Sequence, residues 1–237
     1  MYTFDSRVRF SETDMNGRLT LTSLIDYLQD CSTFHSEDAG VGFSYTRPRH
    51  IAWFVNYWQI DILRLPLMGE KIRIGTRPVE ARAFFGNRCY LIETLDKEPL
   101  VRAYAVWTLI DTNTQKPTGM DEEMLKAYPL EPKLDMEYLP RKIVIPKEGG
   151  ISKDPIRVNE TMLDSNHHMN NSQYVRLACA FEDPEKTITR LRVQYKKQER
   201  LGAHLTPVLY ERENGGLLVN IVDDAKEGCA VVELSYE

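Results

Sequence analysis

Two stretches of the chain state one theme twice. ETDMNGRLTLTSLIDYLQD surrounds Asp14 and TMLDSNHHMNNSQYVRLACA surrounds Asp164. A constant offset of 150 sets Asp14 on Asp164, Asn16 on Asn166, Arg18 on His168, Leu19 on Met169, Leu24 on Tyr174 and Ile25 on Val175. Self-similarity at a fixed offset is the mark of a duplicated structural unit. It constrains the fold more than any single motif, because whatever the first half builds the second half builds again.

The residues after each stretch support the duplication. Leu21, Leu24, Ile25, Leu28 and Cys31 recur at helical spacing, with threonines ahead to cap the helix and Gly40 behind to stop it. The second copy carries Tyr174, Leu177, Ala178 and Phe181 at the same spacing, with Pro184 just beyond. Each unit is expected to hold one amphipathic helix of roughly four turns or fewer.

After the first helix come IAWFVNYWQIDIL, EKIRIGTRPVEAR, FGNRCYLIETLD and LVRAYAVWTLID. After the second come TRLRVQYKKQE, HLTPVLYERE, GLLVNIVDD and CAVVELSYE. These runs are rich in β-branched and aromatic residues and are broken by turn signals, so antiparallel sheets are expected in both halves. Between them, the Pro-, Gly- and charge-rich segment from Thr112 to Gly150 reads as a long connection with one short helix. The expected boundary lies near residue 145, giving units 1–145 and 146–237. The fold class is α+β: a tandem (double) hotdog, each unit an antiparallel sheet wrapped around a long central helix.

Charge and cysteine usage exclude several functions. The net charge of −5 argues against a nucleic-acid partner, which calls for a basic excess. No run of eighteen apolar residues is present to span a membrane. The alternation in MYTFDSRVRFSETD is unlike a secretory signal, so a cytoplasmic protein is expected. Cys31, Cys89, Cys179 and Cys229 have no C-x-x-C spacing and read as small buried apolar residues. His167 and His168 are neighbours, and adjacent helical residues do not share a face, so no metal site is expected.

Asp164-Ser165-Asn166-His167-His168-Met169-Asn170-Asn171-Ser172-Gln173-Tyr174, at the head of the second helix of a duplicated helix-plus-sheet plan, resembles the acyl-ACP thioesterase family of plants and bacteria. The resemblance covers nearly the whole chain. The family's signature is D-x-N-x-H-x-N-N-x-x-Y, matched here by Asp164, Asn166, His168, Asn170, Asn171 and Tyr174. It implies two hotdog units in one polypeptide, hydrolysis of fatty acyl-ACP to free fatty acid, acyl carrier protein as partner and no cofactor. A homodimer stays open, because a double hotdog already supplies within one chain the pairing that single units gain by dimerising.

One stretch departs from the family's pattern. The family shows a basic strand ending Y-R-R-E-C, where the acid or the cysteine has been given a catalytic role; here Tyr195-Lys196-Lys197-Gln198-Glu199 stands. A gapless match sets Gln198 on the acid and Glu199 on the cysteine, whereas a shift of one restores Glu199 as the acid.

A thioester needs a positioned water, a group to take its proton and donors for the developing oxyanion. Asn166 and His168 suit hydrogen bonding, and His168 suits the base because its pKa lies near neutrality. Asp164 is expected to orient that imidazole or to activate the water itself. Glu199 is the further candidate for general base or water-orienting acid. Unpaired N–H groups at the start of the second helix are expected to favour the oxyanion.

The first copy has Gly17 and Arg18 where the histidines stand. With Gly69 set on Gly202, it also has Leu65 and Pro66 in place of Gln198 and Glu199. It reads as non-catalytic, its aromatics Trp53, Phe54, Tyr57, Trp58, Phe84 and Phe85 suiting either an acyl-chain slot or plain core. Arg190, Arg192, Lys196, Lys197 and Arg200 are candidates for meeting an acidic carrier protein. Two alternatives stand beside this reading: an acyl-CoA thioesterase of the same fold, and a non-catalytic acyl-binding or regulatory protein.

Overall fold

A computed structural model describes residues 1–213 and 215–237. The chain divides into two units, Met1–Tyr138 and Leu139–Glu237.

The first unit contains β1 (Tyr2–Arg7), α1 (Leu21–Asp38), α2 (Phe43–Thr46), β2 (Ile51–Ile62), β3 (Lys71–Arg82), β4 (Phe85–Thr94), β5 (Pro99–Asp111), β6 (Lys116–Pro117) and α3 (Glu122–Ala127). Its strands pair antiparallel in the order β1-β3-β4-β5-β2, with β6 on β5. The side chains of β1 alternate between half-buried and exposed, as a strand at the edge of a sheet requires.

Thr20 caps α1 by accepting from the Ser23 N–H at 3.2 Å, and Leu21, Leu24, Ile25, Leu28 and Cys31 form its buried face. The helix has eighteen residues, about five turns, and so exceeds the expected length. Past Cys31 its inward positions become Ser32, His35 and Ser36, and polar residues there silence the apolar period while the helix continues.

Neighbouring residues of the strands face opposite sides. Tyr57, Cys89, Tyr104 and Val106 pack against Leu134, Met136 and Tyr138, whereas Trp58 packs against Tyr90 and Trp107. The hydroxyl of Tyr90 in turn meets Ser32 of α1 at 2.6 Å. The expected short helix of the connecting segment is α3, which Asp121 caps by accepting from the Met124 N–H.

The second unit contains β7 (Ile151–Ser152), β8 (Ile156–Arg157), α4 (Asn171–Cys179), β9 (Ile188–Tyr195), β10 (His204–Glu211), β11 (Leu217–Val222) and β12 (Gly228–Tyr236). The antiparallel order is β9-β12-β11-β10-β7, with β8 also on β10. Helix α4 is half the length of α1 and ends before Phe181, whose N–H turns back to the Ala178 carbonyl. Among the described residues no helix is long and apolar enough to cross a membrane.

Candidate active site

The Asp164 turn is built by main chain and one carboxylate. Asp164 Oδ1 accepts from the N–H groups of Asn166 at 2.8 Å and His168 at 3.2 Å. The Asp164 N–H donates to the His168 carbonyl at 2.8 Å, and the His167 N–H donates to the Asp164 carbonyl at 3.0 Å. Leu163 and Met169 then bridge across the base of the turn. His167 sits at φ 60°, in the left-handed region, with its side chain exposed.

The first unit repeats the turn bond for bond. Asp14 Oδ1 accepts from Asn16 at 2.8 Å and Arg18 at 2.9 Å, the Asp14 N–H donates to the Arg18 carbonyl at 2.8 Å, and Gly17 takes the left-handed place at φ 71°. Thr13 and Leu19 make the matching bridge. The turn is therefore architecture common to both units, and the side chains at Gly17/His167 and Arg18/His168 are what differ.

A second equivalence locates Glu199. The Met169 N–H donates to the Glu199 carbonyl at 2.8 Å, and the Leu19 N–H donates to the Pro66 carbonyl at the same distance. Gly202 and Gly69, both left-handed, each donate back to the matching residue, Val158 and Val8, at 2.9 Å. Pro66 thus stands where Glu199 stands. Glu199 is the buried residue of the pair and Gln198 the exposed one.

The Glu199 side chain enters a cluster contributed by β12 and the β11–β12 connection. Cys229 Sγ donates to Glu199 Oε1 at 3.3 Å, and Lys197 Nζ lies 3.3 Å from the same oxygen while also holding the Asp223 carboxylate. The Glu199 N–H donates to the Tyr174 hydroxyl at 3.2 Å, which ties the segment to α4.

Burial, reinforced by the Glu199 hydrogen bond, pushes the Cys229 thiol up to about 12, so it is no thiolate near neutrality. The hydrogen bond to Lys197 holds the Asp223 carboxyl below the usual range, and the same bond raises Lys197. Oxygen and sulfur atoms of Glu199, Asp223 and Cys229 lie within 4.8 Å of one another, but the Lys197 ammonium already supplies positive charge there. Sequence reasoning missed Asp223 and Cys229, because only the β11–β12 hairpin brings them to Glu199.

His168 is half-buried. Burial first, and then the nearby Arg200 guanidinium, lower its pKa below the ordinary histidine value, against the opposing pull of Asp164. It is thus a neutral imidazole near pH 7, able to accept a proton. Asn166 is exposed beside it.

The structure joins His168 to Glu199 through main chain, whereas the Glu199 carboxylate is engaged with Lys197 and Cys229. The expected open N–H groups at the head of α4 are in part already used. Asn170 accepts from the Ser172 N–H through its side chain and from the Gln173 N–H through its carbonyl. An asparagine at the cap satisfies donors that a bare helix start leaves free.

The basic residues after the signature separate in the same way. Arg192 is bound to Glu233 and to the Pro140 carbonyl, and Lys197 to its acidic cluster. Lys196 is exposed, with its pKa lowered by partial burial and by the charge of Lys142.

Residues 1–128, more than half of the chain, match the family described as the acyl-ACP thioesterase N-terminal domain. The chain is 26% identical over 211 residues to the acyl-[acyl-carrier-protein] hydrolase FATB2 of Cuphea viscosissima, covering 81% of this chain and 50% of that protein. It is 24% identical over 188 residues to an oleoyl-acyl carrier protein thioesterase of Arabidopsis thaliana, covering 71% and 51%. The chain spans about half the length of the curated relatives it matches. An acyl-ACP thioesterase from Bacteroides thetaiotaomicron superposes with a TM-score of 0.90 at 22% identity over 99% of this chain and 97% of that one. The 12:0-ACP thioesterase of Umbellularia californica superposes at 0.86 and 14% identity, over 100% and 98%. These superpositions show the double-hotdog fold, and with the family match they establish that the chain belongs to the acyl-ACP thioesterase family.

Proposed function

We propose that the chain hydrolyses the thioester of fatty acyl-ACP, releasing free fatty acid and carrier protein, with the chemistry in the second unit. The observation that carries this reading is the duplicated turn: both units build it, and only the second places a half-buried neutral imidazole on it, tied through Met169 to Glu199. Membership of the family supplies the substrate class.

In this reading His168 takes a proton from water, and the hydroxide adds to the thioester carbonyl carbon. The carbon–sulfur bond then breaks, and the leaving thiolate is protonated. Asn166 offers a hydrogen bond to the carbonyl oxygen or the water. Asp164 fixes the turn through its two main-chain bonds, and Glu199 orients the water. An acidic carrier protein fits the adjacent cations Lys196 and Lys142, together with Arg200.

The test is hydrolysis of one acyl group presented on carrier protein and on coenzyme A, by the wild type and by His168→Ala. Faster turnover on carrier protein, abolished in the variant, is the expected result. Equal or better turnover on coenzyme A defeats the carrier assignment, and ligand binding without turnover on either defeats hydrolysis.

A further inference from the structure

The second unit repeats the first around Glu199 as closely as it does around His168. Just past β2, the N–H groups of Leu63 and Arg64 both donate to the Leu100 carbonyl, at 2.9 and 3.3 Å; just past β9, those of Lys196 and Lys197 both donate to the Cys229 carbonyl, at 2.8 and 3.1 Å. The β4–β5 and β11–β12 hairpins match as well. The Thr94 N–H donates to the Glu98 carbonyl and its hydroxyl oxygen accepts from the Glu98 N–H, while the Asp223 N–H donates to the Glu227 carbonyl and its carboxylate accepts from the Glu227 N–H. Lys97 and Lys226 hold the left-handed place in the two turns, at φ 68° and 65°. A cation also meets a carboxylate in both: Arg64 and Glu98 at 3.5 Å, Lys197 and Glu227 at 3.6 Å.

These equivalences set Pro66, Thr94 and Leu100 of the first unit on Glu199, Asp223 and Cys229 of the second. The shared frame requires none of the three polar groups. Thr94 closes its hairpin with a hydroxyl, so the turn does not call for the Asp223 charge, and Leu100 is fully buried in its place, so packing does not call for the Cys229 thiol. What the three have in common is Glu199. Asp223 holds the Lys197 ammonium, which lies 3.3 Å from Glu199 Oε1, and Cys229 Sγ donates to the same oxygen at 3.3 Å. Both contacts fall on Oε1, which leaves Oε2 for a water. Lysine is a point charge on a flexible stem, and the Lys197 side chain is 44% exposed, so its place depends on the Asp223 anchor.

We propose that Asp223 and Cys229 are positioning residues for Glu199. Asp223 fixes the ammonium of Lys197, and that ammonium and the Cys229 thiol together hold Oε1, so that Oε2 is turned to the water that attacks the thioester. A carboxylate held by one donor turns about that contact; two donors from different segments, with the main-chain bonds of Glu199 to Met169 and Tyr174, remove that freedom. The thiol serves as a neutral donor and not as a nucleophile. This inference rests on the hydrolysis proposed above and adds the groups that aim its acid.

The test compares kcat and KM on one acyl-ACP for the wild type, Asp223→Thr, Cys229→Ala, Cys229→Ser and Glu227→Gln, with thermal melts, and adds crystal structures of Asp223→Thr and Cys229→Ala. Asp223→Thr installs the first unit's residue and keeps an acceptor for the turn. In Asp223→Thr and Cys229→Ala, kcat is expected to fall about tenfold to a hundredfold while KM changes less than about twofold, and the Glu199 carboxylate is displaced in both structures. Cys229→Ser keeps a donor and recovers most of kcat, and Glu227→Gln, which removes the contact common to both units, keeps the wild-type kcat. Should Asp223→Thr fail to fold, Asp223→Asn, which keeps the turn acceptor and loses the charge, takes its place. Wild-type kcat in the folded variants, or a Glu199 carboxylate unmoved in both structures, overturns the proposal; a serine variant as slow as the alanine one removes Cys229 from it. A wild type without turnover on any carrier defeats the hydrolysis reading instead, and the two crystal structures then still decide whether Asp223 and Cys229 hold the acid.

Discussion

The main-chain N–H of Met169 donates to the carbonyl oxygen of Glu199 at 2.8 Å, which ties the residue after His168 to the one acid of its neighbouring segment that is buried. In Glu199→Gln the side chain still accepts from Cys229 and Lys197 but loses its charge. Turnover on an acyl-ACP is expected to fall about a hundredfold with little change in melting temperature. A variant with wild-type turnover removes Glu199 from the chemistry.

His168→Ala is expected to lower kcat/KM by about 10²–10⁴-fold. Because burial and Arg200 depress the imidazole, with Asp164 opposing and His167 adding to the depression, the acid limb of the kcat/KM profile lies below the ordinary histidine value. Activity is then full above that limb and lost as pH falls through it. Arg200→Gln removes one depressing charge, so the limb moves to higher pH. An unmoved limb identifies some other group as the base.

His167 fills the left-handed position that Gly17 fills in the first unit. His167→Gly is therefore expected to keep activity within twofold and to shift stability by less than about 1 kcal/mol in urea unfolding. A β-branched residue pays the steric cost of that region, so His167→Val is expected to lose about 1–2 kcal/mol. A tenfold loss of activity in the glycine variant would place His167 in the chemistry.

Asp14 and Asp164 perform the same structural task with the same oxygen. Asp14→Ala and Asp164→Ala are each expected to cost about 1–2 kcal/mol, for two lost hydrogen bonds. Activity at substrate saturation, measured on folded protein, separates them: Asp164→Ala impairs turnover because His168 loses its frame, and Asp14→Ala does not.

Burial, with the charge of Arg88 and the N-terminal amine, pushes His35 down to about 4, against Glu131 and Asp38. A folded-state pKa below the unfolded one, about 6.5, gives stability that is complete above the unfolded value and is lost as pH falls toward 4. The urea midpoint is expected to drop across that window. In His35→Asn, which has no titrating group, the drop is smaller; equal slopes in the two proteins rule His35 out as its source.

The strands β2 to β5 and β9 to β12 were legible because their β-branched and aromatic runs end at turn residues, and the duplicated turn was legible because Asp and Asn recur at one offset. The last turns of α1 were not, since His35 and Ser36 face inward as polar residues and break the period by which a helix is recognised. Asp164, Asn166 and His168 fall in one short segment, and the sequence displays them together. Asp223 and Cys229 reach Glu199 only through the β11–β12 hairpin, and no local pattern announces a neighbour made by strand pairing. The helix-start donors misled because Asn170, taken as part of a signature, also caps the helix.

The frame of the His168 turn is built by main-chain N–H and carbonyl groups and by the Asp164 carboxylate. Geometry and reactivity are thus inherited separately. The first copy holds the turn with glycine and arginine at the two places where the second carries histidines. Each molecule thus carries two casts of one mould, and the turn at Asp14 is a ready-made internal reference for any spectroscopic probe of the turn at Asp164.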